Sequence, residues 1–311
     1  MVGGIVLPGK RLRIIRVIGL RIAVIPMLLC ILIILGNALG YLNPAATNQS
    51  SAIPGLSAAK PAPFWHSVYT SLVAIGTLHW GAGPQITREL VLRSLEISSI
   101  LTFGSLFVSA LVGIPCGIFA ALKPRNPLWQ AVSAFCVLLG QVPPADMAVI
   151  LIFTFSLGWH LIPLSYGWGS VADAILPIMT VACFNIGYIV KYTEAGMREV
   201  MQRSFIAAAR ARGAGTVTVV AHHALRPALT GLLTFLGPQT PMTLFCTVIA
   251  EQAFAIPGIG TMLGIKVTTY GAPAFGSGTT LSITLFIFGL FIMVLNLLID
   301  IAYLWLNPLA D

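Results

Sequence analysis

Few side chains in this sequence could do chemistry, and their spacing excludes more reactions than it allows. His222 and His223 are adjacent, so on a helix they point to different faces, and neither an HExxH pattern nor a carboxylate pair accompanies them. They read as a polar boundary ahead of an apolar run. Cys30, Cys116, Cys136, Cys183 and Cys246 each fall in a different hydrophobic segment without a CxxC spacing, which suits small apolar fillers better than a disulfide framework or a zinc site. The pattern GxxxxGK[ST] is absent, so this chain does not cradle a triphosphate in a P-loop, and Pro257-Gly258-Ile259-Gly260 reads as a turn. Asp146 and Asp300 are aspartates inside apolar segments, but neither has the neighbouring motif an intramembrane protease would need. Glu251 and Asp300 lie near predicted span ends, where solvation or capping would account for both. The expectation is a protein that is not an enzyme and holds no metal or cofactor of its own.

Composition says what must position these residues. Apolar residues make up 57% of the 311 residues and charged residues only 8%, with a mean hydropathy of +0.94. A soluble chain carries about a quarter charged residues, so this one is expected to be an all-α polytopic membrane protein. The net charge of +8 does not form a stripe suited to nucleic acid. The basic residues flank apolar runs, as topology determinants and lipid headgroup contacts do.

Six spans are expected. A cytoplasmic N-terminus (1–16) precedes the first (17–41), too long for the 7–15-residue core of a signal peptide and able to cross about 30 Å of hydrocarbon. An external segment (42–95) follows, broken by Pro44, Pro54, Pro61 and Pro63 but with a short helix near Phe64 to Leu78. The remaining five spans lie within 96–306: Ile97 to Leu122, Leu128 to Leu157, Asp173 to Val190, Pro227 to Ala250 and Leu281 to Leu306, with a tail at 307–311. Placing the N-terminus inside puts Lys10, Arg11, Arg13, Arg16, Arg21, Lys123, Arg125 and the six basic residues of 191–227 in the cytoplasm. Only Lys60, Arg88, Arg93 and Lys266 then lie outside. Thirteen against four follows the positive-inside rule and predicts both termini in the cytoplasm.

The long polar interval from Lys191 to Pro227 is thus cytosolic. Its centre, Ala207-Ala208-Ala209-Arg210-Ala211-Arg212-Gly213, is small and basic and ends in glycine. That pattern suits a slim helix that another body approaches closely. Asp146 follows Pro143-Pro144 within a span, where a carboxylate costs about 2.5–3.5 kcal/mol on insertion scales and should face protein or water. It is either a polar point on a substrate path, a partner for another chain's polar group, or a residue nearer the outer surface.

The stretches Phe205-Ile206-Ala207-Ala208-Ala209-Arg210-Ala211-Arg212-Gly213 and His223-Ala224-Leu225-Arg226-Pro227-Ala228-Leu229 resemble the cytoplasmic loop of inner-membrane permeases from ABC importers, closest to the dipeptide, oligopeptide and nickel permease family. Glu251-Gln252-Ala253-Phe254-Ala255-Ile256-Pro257-Gly258-Ile259-Gly260 resembles that family's ExxFxxPGLG, Gly113-Ile114-Pro115-Cys116-Gly117-Ile118 its GIPxGI, and Asn296, Asp300, Tyr303 and Asn307-Pro308 its closing pattern. The sequence departs from the family at Ala207, where the broader importer-loop motif has glutamate, at Pro227, usually asparagine, and in the outer loops. The resemblance implies a type I importer permease fold in a bacterial-type inner membrane. It also implies a coupling helix at Ala207, Ala208, Ala209, Arg210, Arg212 and Gly213 that docks in a groove of an ATPase subunit. The implied partners are a second homologous permease, two ATP-binding subunits carrying ATP and Mg, and an external solute-binding protein. Peptides are the leading substrate class. Nickel or metallophore and polyamine-like solutes remain alternatives, as does an ATP-independent secondary transporter.

Overall fold

A computed structural model describes residues 26–38, 63–77, 88–162, 167–262 and 278–306. All regular structure among them is helical: α1 (Pro26–Ala38), α2 (Phe64–Gly76), α3 (Arg88–Leu122), α4 (Pro127–Gln141), α5 (Pro144–Leu151, continued by a π-helical stretch Ile152–Gly158), α6 (Val171–Met201), α7 (Ser204–Ala211), α8 (Leu225–Ala253) and α9 (Gly278–Leu306). A single turn at Thr216–Thr218 and a π-helical stretch at Val219–Ala224 join α7 to α8, and a one-turn helix at Ile259–Met262 follows α8.

Three described helices are long and apolar enough to cross a membrane, and five spans result if each of two bent pairs counts as one. The short α1 lies within the first expected span, whose remaining residues fall outside the described ones, as does the tail at 307–311. The third expected span is not one rod. Pro143 and Pro144 break it, and the helices on either side meet at 109°. Neither proline offers an N–H to continue the helical ladder.

Two boundaries differ from the sequence expectation. Helix α3 starts at Arg88, so its 35 residues measure about 52 Å at 1.5 Å per residue and outrun the hydrocarbon core. Helix α6 continues through Lys191 to Met201, so the first third of the polar interval extends a span and is not loop. The reason is local. Glu194 pairs with Lys191 and Arg198, Glu199 pairs with Arg203 at helical spacing, and Met197 and Val200 turn inward.

The chain forms two compact units, Met1–Val91 with Thr268–Leu297 and Leu92–Val267 with Leu298–Asp311. In the first, buried Asn37 of α1 donates to the Ser71 hydroxyl of α2 at 3.1 Å, and Ser282 of α9 donates to the Ile33 carbonyl at 3.2 Å. Gly36 lets α1 and α9 meet at backbone distance, since a Cβ there would strike Ser282. In the second, Asn126 caps α4 by accepting from the Leu128 N–H at 3.0 Å, with Pro127 at the first helical position. Gly140 of α4 faces Gly187 of α6, and a Cβ at 187 would lie 2.9 Å from the Cys136 carbonyl. Small residues that admit close backbone approach are the usual cement between helices in lipid, where apolar area alone gives no drive to associate.

Candidate functional site

The basic centre of the polar interval folds as α7. Ser204 opens it, and Gly213, at φ +83°, closes it. The Gly213 N–H donates to the Arg210 carbonyl at 2.9 Å and the Ala214 N–H to the Ala209 carbonyl at 3.2 Å. This crossed pair is the Schellman arrangement, which satisfies the last carbonyls of a helix and calls for a left-handed residue where Gly213 stands. The helix has two faces. Ile206 and Ala209 are buried with Met197, Val200, Val219 and Ala224, and Ile118 and Ala121 at the end of α3 pack on that cluster. Ala207, Ala208, Arg210, Arg212 and Gly213 are exposed, with Phe205 beside them.

Ala209 therefore corrects the sequence reading. It belongs to the inward face, because position 209 falls three residues after Ile206 and shares its stripe. The other five residues form one outward surface. Among the described residues Arg210 and Arg212 make no ion pair, whereas Lys191 and Arg198 are held by Glu194 and Arg203 by Glu199. The free cations of the interval are thus concentrated at the end of α7. Exposed His222 and half-buried His223 sit in the π-helical stretch that leads into α8.

Asp146 is exposed in the first turn of α5, directly beyond the 109° break. Its carboxylate faces the positive end of the helix dipole. The neighbours Met147 and Ala148 are buried, in one cluster with Ile97, Leu101, Phe254 and Ile256. An apolar cavity of about 380 Å³ between α3, α6 and α8 is walled by Phe103, Phe107, Ile189, Leu232, Thr240 and Thr243, the two threonine hydroxyls donating to the Leu236 carbonyl and to Asn185. Nothing in that lining would hold a charged solute.

Two buried carboxylates carry the polar interior. Glu194 accepts from Ser133 of α4 at 3.0 Å, from Arg198 at 2.6 Å and from Lys191 at 3.4 Å. Glu251 is fully buried, which overturns the expectation of a solvated or capping residue. One oxygen accepts from the Ser98 hydroxyl of α3 and the other from the Gly260 N–H at 2.7 Å. Sequence reasoning gave these glutamates no role. The signal was present in α3, where Ser94, Ser98, Thr102, Ser105 and Ser109 recur every three or four residues and all are buried. A stripe of hydroxyls in an apolar helix announces polar partners opposite, here Glu251, Thr247 and the Ala182 carbonyl.

Residues 113–311, more than half the chain and including α7 and both glutamates, match the family described as binding-protein-dependent transport system inner membrane component. The chain belongs to this family. It is similar to the oligopeptide transport system permease protein OppB of Escherichia coli strain K12, 30% identical over 178 residues, and equally to OppB of Shigella flexneri. Each alignment covers 56% of this chain and 58% of the relative, so the chain spans little more than half the length of those relatives. Its fold is similar to that of the methionine ABC transporter MetNI, with a TM-score of 0.56 and 19% identity over 73% of this chain and 100% of that one. This binding-protein-dependent transport component is thus an all-α, multi-pass membrane protein with the fold of an importer permease.

Proposed function

We propose that this chain is the permease subunit of an ATP-driven solute importer, forming half of the translocation path and gripped by a cytoplasmic ATPase subunit at α7. The observation that carries the reading is the construction of α7: a short helix with a basic outward surface, its end fixed by Gly213 and its inner face buried against the ends of α3, α6 and α8. A slim helix so braced suits insertion into a groove, and a displacement of α7 would reach three membrane helices through packed side chains.

In this reading two ATP-binding subunits carry ATP and Mg, and a second, similar but non-identical permease completes the path. An external solute-binding protein delivers the cargo. Both termini lie in the cytoplasm, following the thirteen-to-four distribution of basic residues. Nucleotide drives the exchange of access only because it binds one conformation of the assembly better than the other. Asp146, exposed beside the break in the third span, is the polar point on the path. The names of the relatives favour peptides as cargo.

The test is co-expression with candidate ATPase, permease and binding-protein partners. The assembly is then reconstituted and its ATP hydrolysis measured against di- to pentapeptides, nickel chelates and polyamines. A complex with two ATPase copies stimulated by peptides is expected. A self-sufficient homo-oligomer that transports in liposomes without ATP overturns the reading.

A further inference from the structure

We infer that Glu251 is a positioning residue that fastens the turn Ile256–Met262 to α3, and that this turn is a movable closure on the side opposite α7. The inference rests on the permease reading above.

The geometry begins with a buried carboxylate that meets no cation among the described residues. Among the described residues Glu251 forms no ion pair, and its contacts are donors only: the Ser98 hydroxyl and the Gly260 N–H. Ser98 in turn accepts from the Ile259 N–H at 2.9 Å, so a chain runs from Ile259 through Ser98 to Glu251. Ser94, one turn earlier on α3, donates to the Pro257 carbonyl at 3.1 Å. Glu251 also presents its backbone carbonyl to the Ile256 N–H at 2.7 Å. Two hydroxyls of α3 and one carboxylate of α8 thus hold the backbone of three turn residues, 257, 259 and 260. The turn fits so closely that a Cβ on Gly258 would collide with the carboxyl group, and one on Gly260 would lie 2.8 Å from its Oε2. Glycine is required at 258 for space, not for an unusual φ.

The same turn reaches the path. Phe254 and Ile256 are buried in the cluster that contains Met147 and Ala148, the residues next to Asp146 on α5. Movement of the turn would therefore shift the helix that carries Asp146. Ala255, between those two anchors, holds a positive φ of 51°, a strained backbone for a residue with a side chain.

A buried carboxylate held by hydrogen bonds is a costly fastener, since burial removes hydration that two or three such bonds only partly replace. If the turn lifts, the carboxylate regains water. Loss of bonds and gain of hydration then oppose each other, so lifting the turn costs less than the lost bonds alone would impose. A fastener meant to be permanent would be better served by an apolar contact.

Hydrogen exchange of the Ile259 and Gly260 amides in the purified complex tests this. Both amides should exchange slowly without nucleotide and at least tenfold faster when the wild-type complex is trapped with ATP and loaded binding protein. Glu251→Ala and Ser98→Ala should raise the nucleotide-free rate to a similar level and lower the solute taken up per ATP hydrolysed, with Glu251→Gln intermediate because its amide oxygen still accepts from Gly260. A purely structural tie would give equal exchange in the two nucleotide states of the wild type, and that result overturns the inference while leaving the permease reading intact. A chain that recruits no ATPase overturns both. If the Ala variants fail to accumulate, the two-state comparison of the wild type decides alone.

Discussion

The Ser133 hydroxyl of α4 donates to the Glu194 carboxylate of α6 at 3.0 Å, inside the bundle and one helical turn before Met197, on which α7 is braced. Arg198 and Lys191 complete the shell of Glu194 from the same helix and are themselves about half exposed. Ser133→Ala removes one bond and leaves two cations on the carboxylate, so a loss of about 1 kcal/mol is expected. Glu194→Ala should cost more, roughly 2–3 kcal/mol, because a charge-assisted network disappears from a buried site while the two cations can return to water. Thermal unfolding in detergent, with the double variant closing the cycle, reads the coupling. Additive losses would show that the pair contributes nothing jointly.

Gly213 is predicted to matter for docking more than for folding. A Cβ there would meet nothing within 4 Å, so Gly213→Ala suffers only from the left-handed backbone, roughly 1–2 kcal/mol. If the ATPase grips only the closed end of α7, that penalty appears as a loss of affinity on the order of tenfold. Gly213→Asn should recover part of it, since asparagine tolerates this conformation better. Titration of the ATPase subunit onto the permease checks the order glycine, asparagine, alanine.

Charge reversal at the exposed end of α7 separates a docking surface from a solvated one. Arg210→Glu and Arg212→Glu should slow ATPase association and flatten its dependence on salt, with little change in unfolding temperature, because neither guanidinium is paired within the described structure. Ala209→Asp should instead destabilise the permease itself, since Ala209 is buried on the inner face. Surface plasmon resonance at two ionic strengths distinguishes the two behaviours. Equal binding by wild type and the double reversal would remove α7 from the interface.

The α4–α6 contact makes a sharper packing prediction. Gly187→Ala would place a methyl group 2.9 Å from the Cys136 carbonyl and 3.1 Å from the Val137 Cα. These are backbone atoms that cannot rotate away. Overpacking of this kind costs roughly 1–3 kcal/mol, and Gly187→Leu should abolish accumulation. Gly231→Ala, with open space around its Cβ position, is the matched control.

Much of this architecture was legible in the sequence because bilayer length, proline and charge act locally. The apolar runs gave the helices, and Gly213 marked the end of α7. Two things were hidden because they depend on which face turns inward. The interval after Val190 looked like loop since it is polar, yet its glutamates and arginines pair at helical spacing and carry α6 on to Met201. Ala209 could not be told from Ala207 and Ala208 by residue type, and only Ile206 in the same stripe discloses its side. Glu251 was misjudged for the opposite reason. Nearness to a span end suggested water, whereas the Pro257–Gly260 turn folds back over it.

Asp146 is the remaining polar point whose role a single variant can decide. It stands in the first turn of α5, exposed, with buried Met147 and Ala148 beside it. A carboxylate at that position stabilises the helix through its dipole by about 0.3–1 kcal/mol, and Asp146→Asn forfeits at most that amount. A purely local role therefore predicts a small drop in unfolding temperature and unchanged uptake. A place on the path predicts the same small drop in stability but uptake through the reconstituted complex reduced at least fivefold, most strongly for peptides with a free cationic N-terminus and least for N-acetylated ones. Asp146→Glu should restore part of the uptake by keeping the charge. Identical uptake of both peptide classes by wild type and Asp146→Asn would take Asp146 off the path.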